Sequence, residues 1–292
     1  MNETTAAASN PGLPAELPTI SYVQPGDPWL RSRLISLLEV LTGRRKVEKV
    51  YHQLKREPFE VERFFSRGLE LANISYTSDP AAEARIPRDG PLVFIANHPF
   101  GVVDGTMLCD IAARTRGNFK ILIHALLCRD DDLEPFFLPV DFTDSRDAQR
   151  RNIETKREAV KVLKSGGTLL VFPGGGVSTT GRGGCGEFAD LPWTTFTAKL
   201  IHQAEATVVP VFFHGRNSRL FHLASSISMT LRAALLLHEA SNKIGNSFDV
   251  EIGAPIPYRE IAHLGRKELT GHLHRVTWGL GSPGCEHARA PG

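Results

Sequence analysis

Residues 91–105 read PLVFIANHPFGVVDG, in which an apolar run ends in a histidine and a glycine-rich turn. The run has the length and composition of a buried strand. Gly101 and Gly105 allow a tight turn and a close approach of a ligand. His98 can act as a general base and Asp104 can orient its imidazole, although such a pair in one loop is more often a surface or capping pair. The stretch therefore predicts a strand that delivers a candidate catalytic loop.

Outside this stretch, apolar runs alternate with helical patterns. Strands are predicted at residues 92–96, 119–123, 168–172, 207–213 and 248–252, and helices at 155–164, 193–203 and 227–237. This alternation indicates an α/β fold with a largely parallel sheet flanked by helices. Functional loops of such folds lie at the carboxyl ends of the strands, where His98 falls. The last helix is almost entirely apolar, which fits either the core or the wall of an acyl-chain tunnel.

The N-terminal part is predicted to be separate from the α/β domain. Residues 1–27 have the composition of a disordered or loosely packed tail. Residues 28–75 contain an amphipathic helical pair, at 28–41 and 58–72, that either packs on the core or lies in a membrane interface. The first helix carries its leucines at three- and four-residue spacing, at Leu30, Leu34, Leu37, Leu38 and Leu41. Residues 76–280 are predicted to form the α/β domain, and 281–292 a tail.

Composition excludes several classes of protein. The 292 residues carry a formal net charge of only +2, which gives no global field for nucleic acid. The N-terminus lacks the pattern of a signal peptide, and no apolar stretch is long enough to span a membrane. The four cysteines lie far apart without a metal-binding or disulfide pattern, which favours a reducing, cytoplasmic location; they are Cys109, Cys128, Cys185 and Cys285.

A second glycine-rich loop follows the third strand of the series. Residues 172–178 read FPGGGVS, and three successive glycines can present backbone N–H groups to an anion or an oxyanion. The alternative is a flexible turn without a ligand. A P-loop is excluded because no Gly-Lys-Ser/Thr follows.

Four blocks in order resemble the glycerolipid and lysophospholipid acyltransferase superfamily. They are Asn97-His98 to Asp104, Phe137 to Asp141, Phe172 to Ser178, and Val208-Val209-Pro210-Val211. The HPFGxxDG form of the first block is similar to a bacterial branch described as hemolysin-like or ornithine-lipid-related.

The resemblance implies a reaction. His98 would take the proton of an acceptor hydroxyl, Asp104 would hold the imidazole, and the acyl donor would be acyl-CoA or acyl carrier protein. It implies no bound cofactor or metal, a lysolipid acceptor, and peripheral binding at the cytoplasmic face of the inner membrane. Substrate contact is predicted for Asn97, Phe100, Gly101, Asp141, Phe172, Pro173, Gly174, Gly175, Gly176, Ser178 and Arg216.

The chain departs from the family pattern at four places. Five residues rather than four separate His98 from Asp104, and on a helix one extra residue would turn the carboxylate by about 100°. The second block has Phe142 in place of arginine, and the third has Gly174 and Val177 in place of glutamate and arginine. Nearby arginines that could replace the missing pair are Arg146, Arg150, Arg151 and Arg182.

Because a guanidinium suits a phosphate, the loss of both arginines predicts an acceptor without a simple glycerol-phosphate head. A lyso-aminolipid of the ornithine type is favoured, with Glu187, Asp190 and residues 216–218 as candidate head-group contacts. The alternative acceptor is 1-acylglycerol-3-phosphate. Two other classes stay open: a hydrolase that uses His98 and Asp104 with a serine, although the chain has no G-x-S-x-G elbow and Ser178 lies in a loop, and a non-catalytic lipid-binding membrane adaptor.

Overall fold

A computed structural model describes residues 28–29, 32–33, 43–125, 132–141, 143, 145–180, 187–227 and 229–282. The leucine stripe predicted as the first N-terminal helix lies outside these residues, as do Phe142, Arg182 and three of the four cysteines. The fourth, Cys109, is buried as a free thiol. No helix within the described ranges is long and apolar enough to cross a membrane.

Helices and strands alternate along the described chain. The strands are β1 (Ser75–Thr77), β2 (Leu92–Ala96), β3 (Lys120–His124), β4 (Phe137–Val140), β5 (Thr168–Val171), β6 (Thr179–Thr180), β7 (Phe188–Ala189), β8 (Thr207–Phe213) and β9 (Ser247–Ile252). The helices are α1 (Arg44–Leu54), α2 (Val61–Leu71), α3 (Pro80–Ala84), α4 (Val102–Arg116), α5 (Arg146–Lys164), α6 (Phe196–Ala204), α7 (Arg219–Ile227), α8 (Met229–Lys243), α9 (Tyr258–Ile261) and α10 (Arg266–Leu280).

Seven strands form one sheet in the order β1-β9-β8-β2-β5-β3-β4. β2 lies at its centre and pairs in parallel with β5 and β8, while β9 runs antiparallel to β8. The predicted α/β class with a largely parallel sheet is therefore confirmed. β2 and β5 are buried along their whole length, which explains why both are uninterrupted apolar runs.

The sheet separates two apolar layers. Leu92, Phe94 and Ala96 of β2 face a cluster that includes α1, α2 and α4. Val93 and Ile95 face the opposite cluster, which includes α5, α6 and α10. Because side chains alternate along a strand, every β2 residue contributes to one layer or the other, and the central strand is held from both sides.

Two elements differ from the prediction near the site. Asp104 lies not in the loop but in the first turn of α4, which begins at Val102. α5 begins at Arg146, nine residues before the predicted helix at 155–164. Its polar first half gives only a weak apolar period, but Ser145 caps it by accepting a hydrogen bond from the Ala148 N–H at 3.0 Å.

Candidate active site

His98 and Asp104 come together at the carboxyl end of β2. Their Nδ1 and Oδ1 atoms are 3.1 Å apart, with the imidazole 18% exposed and the carboxylate fully buried. The ring N–H does not point straight at the oxygen, so the contact is close without being an aligned hydrogen bond. Catalytic contacts are often loose before substrate binds. With Nδ1 facing Asp104, Nε2 is the nitrogen that remains for a substrate hydroxyl.

The backbone holds the Asp104 carboxylate in place. Oδ2 accepts hydrogen bonds from the N–H groups of Phe100 at 2.8 Å and Gly101 at 3.3 Å, and Oδ1 accepts one from Gly105 at 2.8 Å. A carboxylate in the first turn of a helix also interacts favourably with the helix dipole. Gly101, with φ of +92°, turns the chain into α4. This turn accommodates the extra residue between His98 and Asp104.

The second glycine loop packs directly on the imidazole. The Phe172 ring stacks on His98 with centroids 3.9 Å apart and planes inclined by 24°. The Ser178 N–H donates to the His98 carbonyl at 2.7 Å. Within the turn, the Gly175 N–H donates to the Phe172 carbonyl at 2.9 Å, which leaves the N–H groups of Gly174 and Gly176 as candidate oxyanion donors.

Asp190 ties three segments of the site together. Its Oδ1 accepts the backbone N–H of His98 at 3.2 Å and the Ser178 hydroxyl, and its Oδ2 accepts the Trp193 indole N–H at 2.9 Å. Sequence reasoning proposed Asp190 only as a head-group contact. Its partner His98 lies 92 residues away, so no local pattern could show this positioning role.

Gly174 occupies the place of the family's glutamate because the chain leaves no room for a side chain. A Cβ there would lie 2.9 Å from the Leu191 carbonyl oxygen and 3.4 Å from the Asp190 Cβ. Buried Pro173 precedes it and fixes the direction of the turn. The departure from the family pattern at 174 therefore has a packing reason.

We expect Gly174→Ala to cost about 1–3 kcal/mol of unfolding free energy, because the clash is with backbone and cannot be relieved by a rotamer change. The displaced Asp190 should also lower kcat. Urea unfolding and initial rates measure both effects. Gly279→Ala is the matched control, since a Cβ at Gly279 in α10 meets nothing within 4 Å. Equal stability of the two variants would contradict this interpretation.

Three of the residues predicted to contact substrate make structural contacts. Asn97 is fully buried, and its amide exchanges hydrogen bonds with the Phe213 backbone at 2.8 and 3.0 Å, which joins the ends of β2 and β8. Phe100 is buried against Phe248, with ring centroids 4.8 Å apart. Ser178 is fully buried and donates to Asp190, so it does not form the serine–histidine pair of a hydrolase.

Asp141, at the end of β4, forms an ion pair with an arginine from another element. Its carboxylate pairs with Arg151 of α5 and accepts the Thr143 N–H at 3.0 Å. The Thr143 N–H and then the Arg151 guanidinium lower the pKa of Asp141 to about 2. Arg151 is thus the nearby arginine that pairs with the second block, and it is exposed on α5 as Arg146 and Arg150 are.

Val177 occupies an apolar position rather than a site for a charge. It is 5% exposed and packs in a small cluster with Phe221, Leu235 and Leu236. Its Cγ2 also lies 3.2 Å from the Cβ position of Gly101 in the catalytic loop. The second missing arginine has therefore been replaced by hydrophobic packing.

The loop after β8 is anchored by a buried carboxylate. Glu239 of α8 accepts the Ser218 N–H at 3.0 Å and pairs with Lys243 at 3.1 Å. Burial alone raises the pKa of Glu239, but the hydrogen bonds from Ser218 and the charge of Lys243 outweigh it, so the pKa is lowered. Asn217 is buried, whereas Arg216 of this loop is exposed, as is Glu187 in the loop before β7.

Comparison with known proteins assigns this chain to a family. The acyltransferase family matches residues 49–276. The chain belongs to the acyltransferase family. The predicted resemblance is thereby confirmed.

Individual acyltransferases are also similar to this chain. Two proteins named lyso-glycine lipid O-acyltransferase match over 182 residues: that of Phocaeicola vulgatus is 33% identical, covering 60% of this chain and 62% of its own length. That of Bacteroides thetaiotaomicron is 32% identical, covering 60% and 64%. The chain thus spans less than two thirds of these relatives.

The crystal structure of PlsC, a 1-acyl-sn-glycerophosphate (LPA) acyltransferase from Thermotoga maritima, has the same fold. It is 16% identical, with a TM-score of 0.50 over 86% of this chain and 95% of that chain.

Proposed function

We propose that this acyltransferase moves a fatty acyl group from a thioester to the hydroxyl of a lysolipid. The observation that carries the proposal is the buried Asp104 carboxylate, which accepts three backbone hydrogen bonds and lies 3.1 Å from the partly exposed His98 imidazole. Such a pair provides a positioned general base without a nucleophilic side chain of its own. The acyl donor is acyl-CoA or acyl carrier protein.

In the proposed reaction, His98 Nε2 accepts the proton of the acceptor hydroxyl while the oxygen of that hydroxyl attacks the thioester carbonyl carbon. The N–H groups of Gly174 and Gly176 stabilise the oxyanion that forms. When the intermediate collapses, the carbon–sulfur bond breaks and the imidazolium returns the proton to the leaving thiolate. Asp104 orients the ring and stabilises its protonated form throughout. No covalent acyl-enzyme is required.

We further propose that the acceptor is a lyso-aminolipid. Two observations support this choice: buried Val177 replaces the family arginine with apolar contacts, and the similar proteins from two bacteria are named lyso-glycine lipid O-acyltransferases. Arg151 is already paired with Asp141, which reduces its availability to a free phosphate. The acceptor is a membrane lipid, and the proposal places the enzyme peripherally at the cytoplasmic face of the inner membrane.

Competition between acceptors tests this proposal. Purified enzyme receives one acyl donor with equal amounts of lyso-ornithine lipid, lyso-glycine lipid and lysophosphatidic acid, and products are separated by mass. We expect at least tenfold higher kcat/KM for one of the aminolipids. A preference for lysophosphatidic acid would show instead that the chain makes phosphatidic acid. Lipid binding without any product would favour the non-catalytic adaptor.

A further inference from the structure

α5 carries an unusual arrangement of charge. Its 19 residues include seven basic and three acidic side chains. At about 100° per residue, all the basic residues except Arg151 lie within about 80° of Ile153 around the helix, and the acidic ones lie beyond that arc on one flank. We call the exposed residues of the basic arc the basic stripe; they are Arg146, Arg150, Arg157, Lys161 and Lys164.

A large apolar side chain stands in the middle of the basic stripe. Ile153 is 53% exposed, with Arg150 and Arg157 one turn before and after it. Among the described residues, neither arginine has an ion-pair partner within 4.0 Å, whereas Lys161 contacts Glu158 at 3.6 Å. Ile153 is thus an exposed apolar side chain flanked on both sides by a guanidinium group.

The positive charge continues onto the neighbouring helices. Lys156 of α5 lies beside Lys199 of α6, with Arg266 of α10 nearby. The Lys199 side chain within hydrogen-bond reach, together with burial and the charge of Arg266, lowers the pKa of Lys156. Like charges this close repel each other, and an anionic partner would relieve that repulsion.

The basic stripe begins at the functional edge of the sheet. α5 follows β4, whose end carries Asp141, and Arg151 of the helix pairs with that carboxylate. β4 lies three strand positions from β2 and His98, or about 14 Å at normal strand spacing. From there the stripe runs about 27 Å along the helix. A partner bound along it could deliver a group on a flexible arm to the active site.

We propose that the basic stripe is the docking surface for an acidic acyl carrier protein that delivers the thioester. The inference rests on the proposed function and names its donor. Charge complementarity supplies orientation and rate, and Ile153 supplies an apolar anchor at the centre. A membrane surface suits this helix less well, because interfacial helices have a broad apolar face and this stripe exposes one isoleucine. The stripe also lies on the side of the sheet opposite α1 and α2.

Charge reversal tests the docking surface. The full chain and its Arg150→Glu/Arg157→Glu variant are assayed with one lysolipid and with hexadecanoyl thioesters of acyl carrier protein and of coenzyme A. We expect the KM for the carrier-protein thioester to rise at least tenfold and kcat to stay within twofold. The coenzyme A reaction should stay within twofold, and the wild-type KM for the carrier should rise with ionic strength.

A matched control is Arg85→Glu/Arg88→Glu, which makes the same change in net charge at exposed residues before β2. This control variant should leave the KM and kcat for both donors unchanged. Arg150→Gln/Arg157→Gln should give an intermediate KM, which separates lost attraction from added repulsion.

Five outcomes would overturn the proposal. An unchanged carrier-protein KM, or an equal loss with both donors, would remove the docking role. If the wild type accepted the coenzyme A thioester and not the carrier-protein thioester, the docking role would also be excluded, but the proposed function would stand. Loss of sedimentation with phosphatidylglycerol vesicles, at unchanged carrier KM, would assign the stripe to the membrane. Absence of product with either donor would refute the proposed function itself.

Discussion

His98→Ala is expected to lower kcat by about 10²–10⁴, the usual contribution of a positioned general base. Lipid binding and the unfolding free energy should change little, because the imidazole is partly exposed and its backbone contacts to Asp190 and Ser178 remain. Initial rates at saturating substrate and a vesicle-binding assay measure the two properties separately.

His263→Ala provides the control, since His263 is exposed in the loop before α10. A His98 variant with a rate within tenfold of wild type would exclude His98 as the base.

Asp104→Asn is expected to reduce both activity and stability. The neutral amide keeps the size of the carboxylate but presents N–H groups to backbone donors, so at least one buried donor loses its acceptor at a cost of about 1–3 kcal/mol. Without a carboxylate at Nδ1, the imidazole loses its orientation and the partner of its protonated form. We therefore expect kcat to fall by about 10²–10⁴. Rates and urea unfolding are the measurements.

A second buried carboxylate on α4 serves as a control that distinguishes lost activity from lost stability. Asp110 is 4% exposed and accepts hydrogen bonds from Tyr76 at 2.5 Å and Arg114 at 3.2 Å, away from His98. Asp110→Asn should lose comparable stability and keep its kcat. If both variants lost activity in proportion to their stability, Asp104 would have a structural role alone.

The central strands could be predicted from sequence because burial on both faces leaves a continuous apolar run. β2 and β8 have the predicted bounds for this reason. β4 was not predicted, since it has four residues and contains Pro139, which is tolerated at the edge of a sheet. α1 was not predicted as a separate helix because only Leu54 in it is buried.

Some site residues could likewise be predicted from the sequence, and others could not. His98 and Asp104 follow from residues close together in the chain, and both lie where the motif order indicates. The roles of Asn97, Ser178 and Asp190 depend on partners from distant segments, so only the folded chain reveals them. Their polarity was visible in the sequence, but polarity alone does not distinguish a group that binds substrate from one that holds two loops together.

The apolar cluster around Val177 has an evolutionary consequence. An arginine at this position would place a guanidinium among Phe221, Leu235 and Leu236, where an unpaired charge is costly. Reversion to the family's arginine is therefore not a single step, because the surrounding helices must first acquire polar or smaller side chains. Under the proposed function, acceptor preference would then depend on the packing around position 177 as well as on residue 177 itself.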